Sequence, residues 1–160
     1  MKAHNSIRFV ATDLEQIATV TGRLAVFVEG EGRLDPAGRR ANRLTKGAIA
    51  RLAASDQFAK LKDGDAITLS FPAGMAADAI DVVRLPRRPD QATARKAGVT
   101  LAKLRGTADV LIAAGNTGRI SEIALGLALC TYGFDDHKSE AAKTVGSVTF
   151  MATNFQKAAE

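Results

Sequence analysis

Glu122-Ile-Ala-Leu-Gly-Leu-Ala-Leu-Cys-Thr-Tyr-Gly-Phe-Asp-Asp-His-Lys138 reads as the end of a long apolar helix running into a polar, aromatic-bearing segment. Ile120, Ile123, Ala124, Leu127 and Ala128 recur at three- and four-residue spacing, the period of a wide apolar stripe on a helix. Gly126 sits in the middle of that stripe, where glycine costs about 1 kcal/mol of helix propensity relative to alanine. Its use there points to close helix packing. Tyr132 and Phe134 follow as aromatic plugs for a core, and then the chain turns polar. Upstream, Ala108-Asp-Val-Leu-Ile-Ala113 is nearly continuous in apolar character, as expected of a strand covered on both faces. The turn Gly115-Asn-Thr-Gly-Arg119 joins this strand to the helix.

Working outward, the same alternation repeats. Ile7–Ala11, Leu24–Val28, Ala66–Phe71, Ile80–Arg84 and Ser147–Met151 complete a set of about six strands. Two further helices begin at recognisable caps. Asp35-Pro36 opens one that runs towards Ala54 with a break near Gly47, and Pro89-Asp90 opens another that runs to Arg105. The connection from Phe71 to Ile80 is too short for a helical crossover, so that pair is antiparallel. The expected architecture is α/β: helical layers on both sides of a mixed, mostly parallel sheet.

A length of 160 residues suits one domain. The single cysteine, Cys130, excludes an internal disulfide and fits a reducing compartment. No signal-like run opens the sequence, and no segment approaches the roughly 20 apolar residues that span a bilayer. The reading is soluble and cytoplasmic, with no membrane partner. The net charge of +5 is unevenly placed: residues 36–62 and 84–105 each carry seven Lys/Arg against a single Asp. Side by side, those segments would form one basic patch for acidic partners.

Gly126, Leu129, Tyr132, Phe134, Asp135 and Lys138 carry a resemblance to the leucyl (cytosol) aminopeptidases, at the end of their N-terminal domain. The order of elements, including Gly30-Glu-Gly32 after a strand and the acidic turn Lys62-Asp-Gly-Asp65, is similar to that domain over nearly the whole chain. The resemblance implies a three-layer α/β/α sandwich related to macro domains over residues 1–152. Residues 153–160 would begin a linker towards a catalytic domain. It further implies a parent metallopeptidase holding two divalent metals, zinc or manganese, in a homo-oligomer, a hexamer in this family. This chain would serve there as a non-catalytic structural and assembly domain. Leu85-Pro-Arg-Arg-Pro89 departs from the family's glycine-bearing turn. Asn116-Thr-Gly-Arg119 is the nearest echo of the metal-binding stretch and lacks its carboxylates, so no catalytic or metal residue is expected on this chain.

The residues offer little chemistry of their own. Neither His-Glu-x-x-His nor Cys-x-x-Cys spacing occurs. Asp135-Asp136-His137 is compact, but neighbouring helix residues point apart, so a solvated helix terminus is the plainer reading. Cys130 lies far from a helix N-terminus and reads as a small core residue.

Gly115, Asn116, Thr117, Gly118 and Arg119 form the best candidate binding loop, because amides at a helix start suit an anion or nucleotide such as ADP-ribose. Tight reversal and helix capping explain the same residues. Arg39, Arg43 and Lys46 form a basic helix face that suits nucleic-acid phosphates, or simply solvent. A stand-alone nucleotide- or DNA-binding module is therefore the alternative to a structural domain.

Overall fold

A computed structural model describes residues 7–137 and 146–153, with the backbone alone over 132–137. The strands are β1 (Ile7–Val10), β2 (Arg23–Val28), β3 (Ala66–Ser70), β4 (Ala79–Arg84), β5 (Val110–Gly115) and β6 (Val148–Ala152). The helices are α1 (Glu15–Thr19), α2 (Pro36–Leu44), α3 (Ala48–Ala53), α4 (Asp56–Ala59), α5 (Gln91–Arg105) and α6 (Ile120–His137). One sheet takes the order β1-β6-β5-β2-β4-β3. Every neighbouring pair is parallel except β3 with β4, the short-connected pair.

Alternation along the buried strands builds two cores. Ala25, Phe27, Val83, Ile112, Ala114 and Phe150 face α5 and α6. Leu24, Val26, Val82, Leu111, Ala113 and Met151 face the other way, against Ile17, Ala41, Ile49 and Phe58 of α1 to α4. Near-continuous apolar strands are thus accounted for, since both faces are covered. The result is the expected three-layer α/β/α sandwich.

Glycine permits the closest approach in the molecule. A methyl at Gly126 would meet the Arg95 carbonyl, and one at Gly98 would meet the Ile123 carbonyl and the Leu127 amide. The two longest helices therefore pack backbone to backbone, and Gly126 has the role its place in the stripe suggests. The break near Gly47 is also real: Gly47 takes φ 86° and separates α2 from α3. Asp35 and Asp90 cap α2 and α5 as expected, accepting from the Gly38 and Thr93 amides at 2.8 and 2.7 Å.

Several expectations shift. α6 starts at Ile120 and its backbone stays helical through His137, past Tyr132. The side chains of Tyr132, Phe134, Asp135, Asp136 and His137, and all of His4 and Lys138, lie outside the described residues. So does the expected linker beyond Thr153, whose amide donates to the Gly115 carbonyl at 2.8 Å. The short helices α1 and α4 lack periodicity and are legible only in the structure.

Candidate functional site

The carboxyl ends of β2, β4 and β5 converge on one rim, the usual position of a ligand crevice in an open parallel sheet. Glu29 follows β2, Arg87 lies three residues past β4, and the Gly115–Arg119 turn follows β5. Between them lies a cleft of about 200 Å³, floored by Phe27 and Leu85 and walled by Glu29, Arg33, Asp35, Arg39, Arg87, Asn116 and Thr117.

Local hydrogen bonds occupy backbone amides of this rim and the Asp35 carboxylate, while the side chains of Arg87, Asn116 and Thr117 have no hydrogen-bond partner among the described residues. Asp35 sits between the two halves of the cleft. One carboxylate oxygen caps α2 through Gly38, and the other lies where a side chain on Gly115 would project. Gly115 has φ 57°, so both its conformation and its neighbour demand glycine. The Thr117 amide donates to the Ala114 carbonyl at 2.9 Å, and the Gly118 amide to the Arg87 carbonyl at 2.7 Å. Arg39 donates to the Leu34 carbonyl at 3.0 Å, and Glu29 accepts weakly from the Arg87 amide at 3.4 Å.

The electrostatics are mixed. Burial penalises the charged form of Asp35 and pushes its carboxyl above the ordinary aspartate value, against the opposing pull of the Gly38 amide and Arg39. A phosphate entering the cleft would meet two carboxylates beside three arginines. The α2 N-terminus, where an anion would gain most from the helix dipole, is filled by the chain's own Asp35. The volume also falls short of the roughly 300–1,000 Å³ of small-molecule pockets.

Of the loop singled out in the sequence, Asn116 and Thr117 line this cleft. Gly115 and Gly118 are turn residues there. Arg119, at φ 57°, accepts from the Glu122 and Ile123 amides and starts α6. The Thr93 amide holds the Asp90 carboxyl low and Arg95 holds that of Glu122 low, with the Arg119 charge a minor addition to each. Glu29, Arg33, Arg39 and Arg87 were not grouped by sequence reasoning. Their shared signal is position, just beyond the ends of parallel strands or at the start of α2.

The two basic segments lie mostly on opposite faces and meet at the cleft, which Arg39 of the first and Arg87 of the second both line. The first forms α2 to α4 on one face of the sheet, and α5 carries the second on the other. Arg39, Arg43 and Lys46 are exposed on the α2 side. Many remaining cations have local partners. Arg84 pairs with Asp63 at 3.3 Å and donates to the Leu61 carbonyl at 2.8 Å. Arg95 pairs with Glu122 at 2.7 Å and Lys96 with Asp65 at 3.2 Å. Arg105 is buried and donates to the Ala108 and Gly146 carbonyls. Away from that cleft the sheet separates the two segments, so α2 and α5 do not lie side by side.

No group of three or more His, Cys, Asp or Glu side chains among the described residues is placed to hold a metal ion. The donor set near Asn116 does not fit a two-metal centre, since Asn116, Thr117, Gly118 and Arg119 supply no carboxylate. Cys130 is half-buried against the α5/α6 core, as its place in the apolar helix suggests. Among the described residues, no helix is long and apolar enough to cross a membrane.

No protein-family model matches the chain. It is 44% identical over 153 residues to a probable cytosol aminopeptidase of Dinoroseobacter shibae, a match covering 96% of this chain and 31% of the relative. A mutant of tomato leucine aminopeptidase superposes with TM-score 0.70 at 18% identity, over 98% of this chain and 35% of that one. A Trypanosoma brucei macrodomain solved with ADP-ribose gives TM-score 0.61 at 11% identity, over 96% and 66% respectively. Both structural matches speak to fold alone. The chain thus spans about a third of the length of its curated relatives, and it is similar over almost its entire length to the N-terminal, macrodomain-like part of the cytosol aminopeptidases.

Proposed function

We propose that this chain acts as the non-catalytic N-terminal domain of a leucyl-aminopeptidase-like exopeptidase. Its role is to pack on the catalytic domain and shape the assembly. The observation that carries this reading is the match itself: 96% of this chain aligned at 44% identity, against only 31% of the aminopeptidase. The parent would be a cytoplasmic hydrolase using two zinc or manganese ions supplied by its other domain, in a homo-oligomer, as a hexamer.

The surface supports a packing role. Leu125 and Leu129 stand one turn apart on the outer face of α6, with Leu129 59% exposed. Phe71, at the end of β3, is 80% exposed and has φ 50°, an uncommon conformation for a bulky residue. Apolar side chains placed outward in this way gain most when another body covers them.

Two measurements test the reading. Purified alone, the 160-residue chain is expected to leave a leucine amide substrate intact with zinc or manganese added. Metal-dependent hydrolysis by this chain would overturn the assignment. Leu125→Lys with Leu129→Lys is expected to leave the thermal transition within a few degrees of wild type while weakening association with the remainder of a parent chain. Unchanged association would remove α6 from the interface.

A further inference from the structure

The larger concavity lies at the opposite end of the sheet, by the starting ends of β5 and β6. It measures about 440 Å³ and runs across the sheet face that α1 leaves partly uncovered. That size falls within the roughly 300–1,000 Å³ range of small-molecule sites. Register places Arg8, Thr149 and Leu111 in one row across β1, β6 and β5. Val10 and the buried Leu111 supply apolar surface, and Gln16, Thr21, Ser147 and Thr149 supply polar side chains.

Two features mark this groove. First, its polar side chains are uncommitted. Among the described residues, the Arg8 guanidinium, the Gln16 amide and the hydroxyls of Thr21, Ser147 and Thr149 have no hydrogen-bond partner. Second, its charges lie at separate places. Arg8 is on β1, while Asp109 immediately precedes β5, beyond β6 and two residues before Leu111. Asp109 uses Oδ1 to accept the Ser147 amide at 2.8 Å. With strands about 4.8 Å apart and about 3.3 Å of rise per residue, the two Cα positions stand roughly 12 Å apart.

We propose that this groove binds a short unblocked peptide of two or three residues, its carboxylate at Arg8 and its ammonium at Asp109. A zwitterion satisfies both ends at once. Thr149 and Thr21 can meet the backbone between them, and the Val10 and Leu111 surface accepts an apolar side chain. A compact dianion such as phosphate matches the groove less well, because Asp109 opposes it. Arg105, the cation acting on Asp109, also donates to two backbone carbonyls. The inference stands on the groove and does not depend on the aminopeptidase reading.

Calorimetric titration of the full 160-residue chain with Ala-Leu tests it, with N-acetyl-Ala-Leu, Ala-Leu-amide and inorganic phosphate as companion probes. Ala-Leu is expected to bind saturably, and blocking either terminus is expected to weaken binding by about tenfold or more, the usual worth of a hydrogen bond to a charged group. Arg8→Gln should erase the penalty for the amide, and Asp109→Asn the penalty for the acetyl group. The blocked peptides test the idea even if a variant fails to fold. Absent saturation, equal affinity for blocked and free peptides, or tighter binding of phosphate than of Ala-Leu would each overturn it.

Discussion

The two ends of the sheet follow opposite designs. At the carboxyl ends of the parallel strands, Asp35 caps α2 through Gly38 and the Gly118 amide donates to the Arg87 carbonyl, beside a cleft of about 200 Å³. At the starting ends, the groove is about twice as large and keeps Arg8, Gln16 and Thr149 without partners among the described residues. A shared fold therefore does not settle where a ligand would sit. The difference lies in size and in where charge sits: Asp35 fills the α2 N-terminus inside the cleft, whereas Arg8 and Asp109 stand apart in the groove.

The largest effect that can break this contrast is structural. Gly115→Ala forces a side chain into a left-handed residue and against the Asp35 carboxylate. It is expected to cost about 2 kcal/mol in urea unfolding, from backbone strain and lost capping together. A cost below 0.5 kcal/mol would show that Asp35 can move and that the cleft opens readily.

A smaller, pH-dependent effect sharpens the comparison. Asp35 has its folded-state pKa raised by burial, so its ionised form is the one folding penalises. Its contribution to stability is therefore favourable at low pH. It declines as pH rises from the ordinary aspartate value, about 3.9, through the folded-state value. Asp35→Asn keeps a good cap. The variant is expected to be more stable than wild type at pH 7, with the advantage shrinking as pH falls from the raised folded-state value towards about 4 and lost below it. Equal stability at both pH values would contradict the burial penalty. With the cleft so occupied, titration of wild type with ADP-ribose is expected to show no saturation at millimolar concentrations.

At the groove the stability effect is smallest. Arg8→Ala is expected to change unfolding free energy by less than about 0.5 kcal/mol, because an exposed side chain without a described partner loses no packing. A larger loss would mean that Arg8 braces β1, the edge strand. The divided cations make a parallel case. Replacing Arg39 and Arg43 with alanine is expected to leave any weak duplex-DNA retention and its salt dependence little changed, since they share no continuous patch with α5.

Local signals carried much of the fold. Apolar runs marked the six strands, and Asp35-Pro36, Pro89-Asp90 and Gly47 marked helix boundaries, because caps and left-handed glycines act within a few residues. The short Phe71–Ile80 connection disclosed the antiparallel pair. Helix α1 has five residues and no side-chain cap bond, so nothing periodic announced it. Ser55 does cap the four-residue α4, but one cap before so short a turn is a weak signal. The candidate loop at Gly115 was legible because it is contiguous. The groove was not: Arg8, Gln16, Asp109 and Thr149 meet only through the crossovers that place β6 between β1 and β5. The same topology divided the basic segments, since chain proximity gives no guide to the face of a sheet.

Co-sedimentation tests the domain assignment most directly. The 160-residue chain would be mixed with the separately expressed remaining two-thirds of the Dinoroseobacter shibae relative. One stoichiometric complex, dispersed by Leu125→Lys and Leu129→Lys, is the expected result. Two species sedimenting independently at micromolar concentration would contradict a packing role and leave a free-standing domain whose groove, rather than its partner, defines its function.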